Sequence, residues 1–415
     1  MLNASNEREL AYLVKIDNVT PISGYDRVEL AHVGGWTIVV GKNEFKAGDI
    51  AVYFEIDSQL PAKPPFVDME FLAKKHFKVK TQKMCKSVSQ GLLMSIESFG
   101  WTIESAQFAG GALYVRDNEG CQHFVDDESR FLTKQLEVTY AVPEDNVRKA
   151  PSLDKYKKMV QRHGKLFKYQ PFRWLMKHTW GKKFLFTIFG KKRDKRTGWP
   201  AWVAKTDEER IENLPFLFNE KDTQWIPTEK IDGTSTTFTI KRPKYSFMKP
   251  EFYVCSRNVC FDKPDKIGFY DTNVYREMAE KYDIENILSC LLESYSDADW
   301  ITIQGETYGS GIQKRDYHMA EGEHDFAAFN LIISNRGRFN PVEMAKILSS
   351  YGVPCVPVLE NPFTLPENID ELRKYVEGTK SKIDGDVREG VVFRSLDGSR
   401  SFKCVSPAFL LEYHG

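Results

Sequence analysis

From residue 11 to about 95 the chain is a succession of short β-branched and aromatic runs. "YLVKIDNVTPI", "DRVELAHV", "WTIVVG" and "IAVYFEID" are cut by Gly24, Gly34-Gly35, Gly41 and Gly48. Runs this short, punctuated by turn residues, dictate strands and tight connections. "FKAGD" ahead of "IAVYFEI" and "SQGLLMSI" at 89–96 repeat the turn-then-strand pattern. The expected product is a small all-β barrel of the oligonucleotide-binding (OB) type, with another all-β arrangement as the alternative.

That region is too small to account for a chain of 415 residues, which predicts two or three domains. Overall charge gives no further guidance, because 58 Lys and Arg balance 58 Asp and Glu. Local asymmetry must carry any argument about partners. The seven cysteines are scattered without a CxxC pair, which disfavours a zinc site or a disulfide framework and fits reduced thiols. "MLNASNEREL" lacks the apolar core of a signal peptide, and the longest apolar stretch, "FLFTIFG" at 184–190, falls short of the ~18 residues of a membrane span. The expectation is a soluble, cytoplasmic monomer with no membrane partner.

Residues 155–196 differ in kind. Fifteen Lys or Arg occur there against one acid, Asp194, with Phe167, Tyr169, Phe172, Trp174, Trp180, Phe184, Phe186 and Phe189 interleaved. Cations neutralise phosphates and aromatic faces stack on bases, so the composition suits a polynucleotide. An anionic membrane surface would favour the same make-up. A connector whose aromatics pack on a domain is the third reading.

From about residue 206 strand-like runs alternate with helical spacing, predicting an α+β domain. The division expected is 1–145, a nucleic-acid-binding barrel; 146–205, a basic connector; and 206–415, a catalytic domain. One tetrapeptide, "KIDG", occurs twice, at 230–233 and 382–385. The second copy lies in "GTKSKIDGDVREG", a polar run where Asp-Gly makes a bend. The first opens the run "TEKIDGTSTTFTIK", read as a strand, and is followed in order by "CSRN", "IQGETYG", "FAAFN", "REGVVFR" and "SFKCVS".

This series resembles motifs I, Ia, III, IIIa, IV and V of the covalent nucleotidyltransferases, the polynucleotide ligases and RNA capping enzymes. It is most similar to ATP-dependent RNA ligases of the Deinococcus-type group, in which an OB domain precedes the nucleotidyltransferase domain. The resemblance implies an α+β, ATP-grasp-like fold of antiparallel sheets with helices. It implies that Lys230 attacks the α-phosphorus of ATP, which needs an unprotonated amine and hence a depressed pKa. Glu229 would face the adenine amino group, and Asp232 would serve the metal-dependent steps. Gly233 would let backbone approach the nucleotide. Arg257 would contact ribose or phosphate, Glu306 the ribose hydroxyls, and Phe329 would stack on adenine, with Phe326 as its rival. Glu389 would bind Mg²⁺ or Mn²⁺, and Lys403 the α-phosphate.

One departure stands out. Motif V usually reads Lys-x-Lys, whereas here Val405 follows Lys403-Cys404, and Gln313, Lys314 and Arg315 are the candidate substitutes. The twelve residues after Lys403 are too few for a C-terminal barrel, which favours an RNA ligase over a capping enzyme. The expected activity is sealing of 3′-hydroxyl and 5′-phosphate ends of RNA or RNA-containing duplexes, with RNA on the 3′-hydroxyl side, as in RNA repair. A capping-type guanylyltransferase and a catalytically inactive nucleic-acid-binding protein are the alternatives.

Overall fold

The computed structural model describes residues 1–3, 5, 7–105, 113–141, 160, 166–189, 199–245, 248–261 and 273–413. In the first unit, Ala11–Lys15, Ile50–Phe54 and Leu92–Ser95 form an antiparallel sheet, and Asn18–Ile22, Tyr25–Val33 and Trp36–Gly41 form a meander. The 50–54 strand is buried at all five positions, which is why it reads as a continuous apolar run. One face meets Trp36, Ile38 and Val33 of the meander; the other meets Phe66, Leu72, Trp101, Val115 and Leu132.

Between the two units, residues 166–189 supply two short helices, Gln170–Leu175 and Thr179–Phe189. Phe167, Phe172 and Phe189 pack edge to face beside buried Leu185. Tyr169, Trp174, Trp180 and Phe184 are each more than half exposed. Part of the aromatic content is therefore a small core and part faces outward. The cations at 155, 157, 158, 162, 165, 191, 192, 193, 195 and 196 lie outside the described residues.

The second unit has two sheets. The first runs Glu209–Arg210, Ser401–Val405, Gly390–Ser395, Gln224–Lys230, Phe363–Thr364. The second runs Cys260–Phe261, Glu251–Ser256, Thr234–Lys241, Trp300–Gly309, His324–Ile333, Gly337–Arg338. Each carries helices on one face. Ile369–Glu377 packs Leu372 and Val376 on Trp225, Phe393 and Phe402. Val274–Lys281, Ile284–Ser294 and Pro341–Ser349 pack Met278, Leu288, Leu291 and Met344 on Phe238, Ile301, Ile303 and Phe326.

Two readings of the sequence are corrected here. "TEKIDGTSTTFTIK" is not one strand: Lys230 ends a strand of the first sheet and Thr234 begins one of the second, so Ile231-Asp232-Gly233 crosses between sheets. The run of helical spacing at 271–295 holds, within its described residues, two helices, Val274–Lys281 and Ile284–Ser294, broken where Asp283 takes a left-handed φ of 50°.

The barrel docks on the second unit through the Gly34–Trp36 turn. Arg373 donates to the Gly35 carbonyl and pairs with Glu212 at 2.9 Å. A Cβ on Gly35 would lie 2.5 Å from Ile369. The Arg210 guanidinium lies over the Trp36 ring, 5.7 Å from its centroid.

Candidate active site

The Ile231–Gly233 crossover places Lys230 where the two sheets meet. Its Nζ donates to Glu389 Oε1 at 2.6 Å, and Glu389 immediately precedes the Gly390–Ser395 strand paired with the lysine's own strand. Gly233 is fixed by sterics: a Cβ would lie 2.4 Å from the Thr307 carbonyl oxygen and 2.9 Å from Glu306 Cγ. The glycine thus lets the crossover lie against the strand bearing Glu306. The Asp232 amide donates to the Tyr317 hydroxyl at 2.7 Å, and Gln313 donates to the Gly233 carbonyl at 2.9 Å, so residues 313–317 clamp the turn.

Electrostatics at this junction reverse one expectation. Burial pushes the Lys230 pKa down, but Glu389, Glu306 and Asp232 outweigh it, and the pKa is raised. The same crowding acts on Glu306. Burial, together with the Glu389 and Asp232 charges, pushes its carboxyl up to about 8 against the opposing pull of Lys230. The depressed amine is Lys403, through burial and the neighbouring Arg210 charge, with Asp207 opposing and Lys230 adding to the fall. Lys230, Asp232, Glu306, Glu389 and Lys403 therefore share one field.

The remaining residues surround this centre. Arg257 is 55% exposed at the rim and pairs with Asp207 at 2.9 Å, and the other oxygen of Asp207 lies 3.5 Å from Lys403. Glu229 is buried and accepts the Lys382 amide at 2.8 Å. Phe326 and Phe329, three residues apart, face opposite sides of their strand, and a β-bulge sits at the second. Gln304 pairs with Asn330 but Gly305 with Ala328, so Phe329 is the extra residue. Phe326 turns into the helix-covered core. Phe329 stays half-buried against Ile231, Tyr308, Tyr317, Ala327 and Val356. Its ring centroid is 5.8 Å from the Arg394 guanidinium.

Arg315 does not replace the missing motif V cation. It is buried, forms a two-pronged pair with Asp384, and donates to the Val387 carbonyl. Its partner belongs to the second KIDG, which is a turn with Gly385 at φ +82°. There Lys382 extends to the Val358 carbonyl at 3.0 Å.

Sequence reasoning missed four residues. Asp207 bridges Arg257 and Lys403. Arg210 is the strand partner of Lys403, and its Nη1 is buried without a hydrogen-bond partner. Tyr317 holds the crossover. Arg394, buried and paired with Glu208 at 3.2 Å, has its pKa lowered to about 10 by burial. Of these, Arg394 stands in plain view within "REGVVFR", and Asp207 and Arg210 within "KTDEER". Only three-dimensional pairing shows what they face.

Glu389 Oε2 is buried with no hydrogen-bond partner, and a carboxylate oxygen so placed suits a hard divalent cation. Among the described residues no three His, Cys, Asp or Glu side chains form a ready-made cage. No helix among them is long and apolar enough to cross a membrane.

Residues 223–405 match the family model described as RNA ligase, and residues 10–96 match one described as an OB-fold domain. No curated protein matches the chain. Solved structures of Naegleria gruberi RNA ligase are similar along nearly the whole length. The form with PPi aligns at a TM-score of 0.63 and 23% identity, covering 98% of this chain and 99% of that one. A glutamate-to-alanine mutant with AMP and Mn and a lysine-to-alanine mutant with ATP and Mn each align at 0.64 and 23%, with the same coverage. The fold is thus an OB-fold domain followed by an α+β domain of antiparallel sheets and helices like that of the Naegleria gruberi RNA ligase.

Proposed function

We propose that this chain is an ATP-dependent RNA ligase, with residues 1–145 as the OB-type domain, 146–205 as a basic connector and 206–415 as the adenylyltransferase domain. The observation that carries the reading is the Lys230 amine held 2.6 Å from Glu389 at the junction of two sheets, in the field of Glu306, Asp232 and Lys403. A half-buried lysine so surrounded by acids is more than a strand-end surface residue.

The Lys230 lone pair attacks the α-phosphorus of ATP, an N–P bond forms, the P–O bond to pyrophosphate breaks, and the amine proton departs. Glu389 is at hydrogen-bond distance to take that proton, which answers the raised pKa of the ammonium. Lys403, with Arg210 beside it on the neighbouring strand, stabilises charge building on the α-phosphate. Phe329 stacks on adenine, Glu229 faces its amino group, Glu306 holds the ribose and Arg257 meets ribose or phosphate from the rim. Asp232 would serve the metal-dependent steps from the crossover beside Lys230. Glu389 would hold Mg²⁺ or Mn²⁺ through its unpartnered Oε2, and the ion would offset phosphate repulsion. An oxygen of an RNA 5′-phosphate then displaces lysine from AMP, restoring the amine. A 3′-hydroxyl attacks the activated 5′-phosphorus, and AMP leaves as the strand is sealed. The resemblance to the Deinococcus-type group supports nicks with RNA on the 3′-hydroxyl side.

Incubation of the full chain with labelled ATP and, in parallel, labelled GTP tests the reading. A covalent adduct with ATP and none with GTP is expected. An adduct with GTP alone identifies a guanylyltransferase, and none with either nucleotide identifies an inactive binding protein; either result overturns the proposal.

A further inference from the structure

A second concentration of positive charge lies in the first unit. From Phe71 to Ile96 there are six lysines and His76 and no acid. Lys74, Lys75, His76, Lys78 and Lys80 line a single cavity of about 410 Å³ with Gln59. Backbone conformation sets this arrangement. His76 and Phe77 take left-handed φ values of 53° and 59°, uncommon for residues with a side chain. The bend is held by Gln59 Nε2 donating to the His76 carbonyl at 2.7 Å and the Leu60 amide donating to the Phe77 carbonyl at 2.9 Å. Leu72 and Val79 anchor the loop in the core, and the cations between them face the cavity.

Only Lys74 of the four lysines has a carboxylate partner among the described residues, Glu70 at 2.7 Å. The Lys75 pKa is lowered by burial and by the Lys80 charge, so these two cations repel one another. An anion with several charges would relieve that repulsion.

A short series of residues leads from the cavity wall toward the cleft around Lys230. Gln59 pairs with Thr139, and the adjacent pair is Ser58 with Tyr140. The Arg8 guanidinium is 5.7 Å from the Tyr140 ring centroid. The phenol of Tyr140 feels burial first, then Asp57 and Arg8, then Asp207 and Arg257 of the active-site rim. On the other side Lys83 donates to the Leu411 carbonyl at 2.7 Å, and Val88 packs on Val405 and Leu410, just beyond Lys403.

We infer that the Lys74–Lys80 cavity grips the phosphodiester backbone of the RNA-containing strand whose end lies in the cleft. Lysine is a flexible point charge, without the planar fork that reads guanine, so the grip is independent of sequence. This inference rests on the RNA ligase reading, and the test separates the two.

The probe is a labelled nicked duplex with RNA on the 3′-hydroxyl side, bound to the full chain over a salt series. For Lys75→Ala/Lys78→Ala/Lys80→Ala, with a wild-type melting curve, affinity should fall at least about tenfold and the log–log salt slope should become shallower by roughly 2–3. The corresponding triple arginine variant should retain both. An alanine triple with unchanged affinity and slope overturns the grip. Inorganic phosphate competing as well as polynucleotide at equal phosphate concentration also overturns it, by identifying a small-anion site. Formation of the covalent AMP adduct by wild-type protein is scored separately. Its absence sinks the ligase reading, whereas the salt slopes still decide the cavity.

Discussion

The same four residues, Lys-Ile-Asp-Gly, occur at 230–233 and 382–385 and become opposite things. At the first, the lysine ends a strand, the aspartate adds to a shared negative field, and the glycine lets two sheets touch. At the second, the lysine reaches a backbone carbonyl, the aspartate clamps a buried arginine, and the glycine makes an open left-handed turn. The tetrapeptide specifies neither outcome. What differs is whether the flanking chain is committed to two different sheets or to one polar turn.

The comparison can be broken most sharply at the lysines. Lys230→Ala should abolish AMP loading, by at least roughly 1,000-fold in rate, while Lys382→Ala stays within about twofold. Equal losses would remove the distinction. Next come the aspartates. Asp384→Ala leaves Arg315 charged and buried, both side chains being at most 2% exposed, and should cost about 3–5 kcal/mol in denaturant unfolding. Asp232→Asn should instead depress AMP loading with little change in unfolding midpoint.

The glycines give a smaller separation. Gly233→Ala drives a methyl against the Thr307 backbone and should cost about 1–3 kcal/mol, along with activity. Gly385→Ala meets open space and should cost only about 1 kcal/mol from its positive φ, read as a modest drop in melting temperature.

The smallest effect is in pH dependence, and its sign differs between the two sites. Glu306, raised to about 8, favours the folded state while protonated, so that stability fades as pH rises from its ordinary value through about 8. Glu306→Gln should flatten this limb by on the order of 1 kcal/mol. Burial pushes Asp384 up, but hydrogen bonds from Arg315 pull it below its ordinary value, so its contribution is present at neutral pH and lost on acidification. Unfolding followed from acid to mildly alkaline pH in Glu306→Gln and Asp384→Asn would reveal both limbs.

Much of this was legible in the residue string because catalytic motifs come in a fixed order. Lys230, Glu306, Glu389 and Lys403 were found that way, and the folded chain brings them together. The strand runs before residue 60 were legible because turn glycines delimit them. What escaped was whatever depends on pairing between distant segments. "TEKIDGTSTTFTIK" carries Asp-Gly as a turn signal, but only strand pairing shows that the chain changes sheets there. Phe326 and Phe329 lie on opposite faces of one strand, but only the packing shows which face the helices cover. Arg315 looks like a spare cation until Asp384 occupies it. The Lys74–Lys80 cluster was visible as composition, but the balanced total and the larger basic run at 155–196 drew the eye elsewhere.

The bulge beside Gln304 has an evolutionary corollary. In the His324–Ile333 strand, the presence of one surplus residue chooses which later side chains join Phe326 and Ala328 in the helix-covered core, namely Leu331 and Ile333. Conservative replacements there preserve that choice, whereas losing a single codon between Ala328 and Leu331 would shift the phase of every later side chain. This stretch should therefore drift in spelling but not in length among functional descendants.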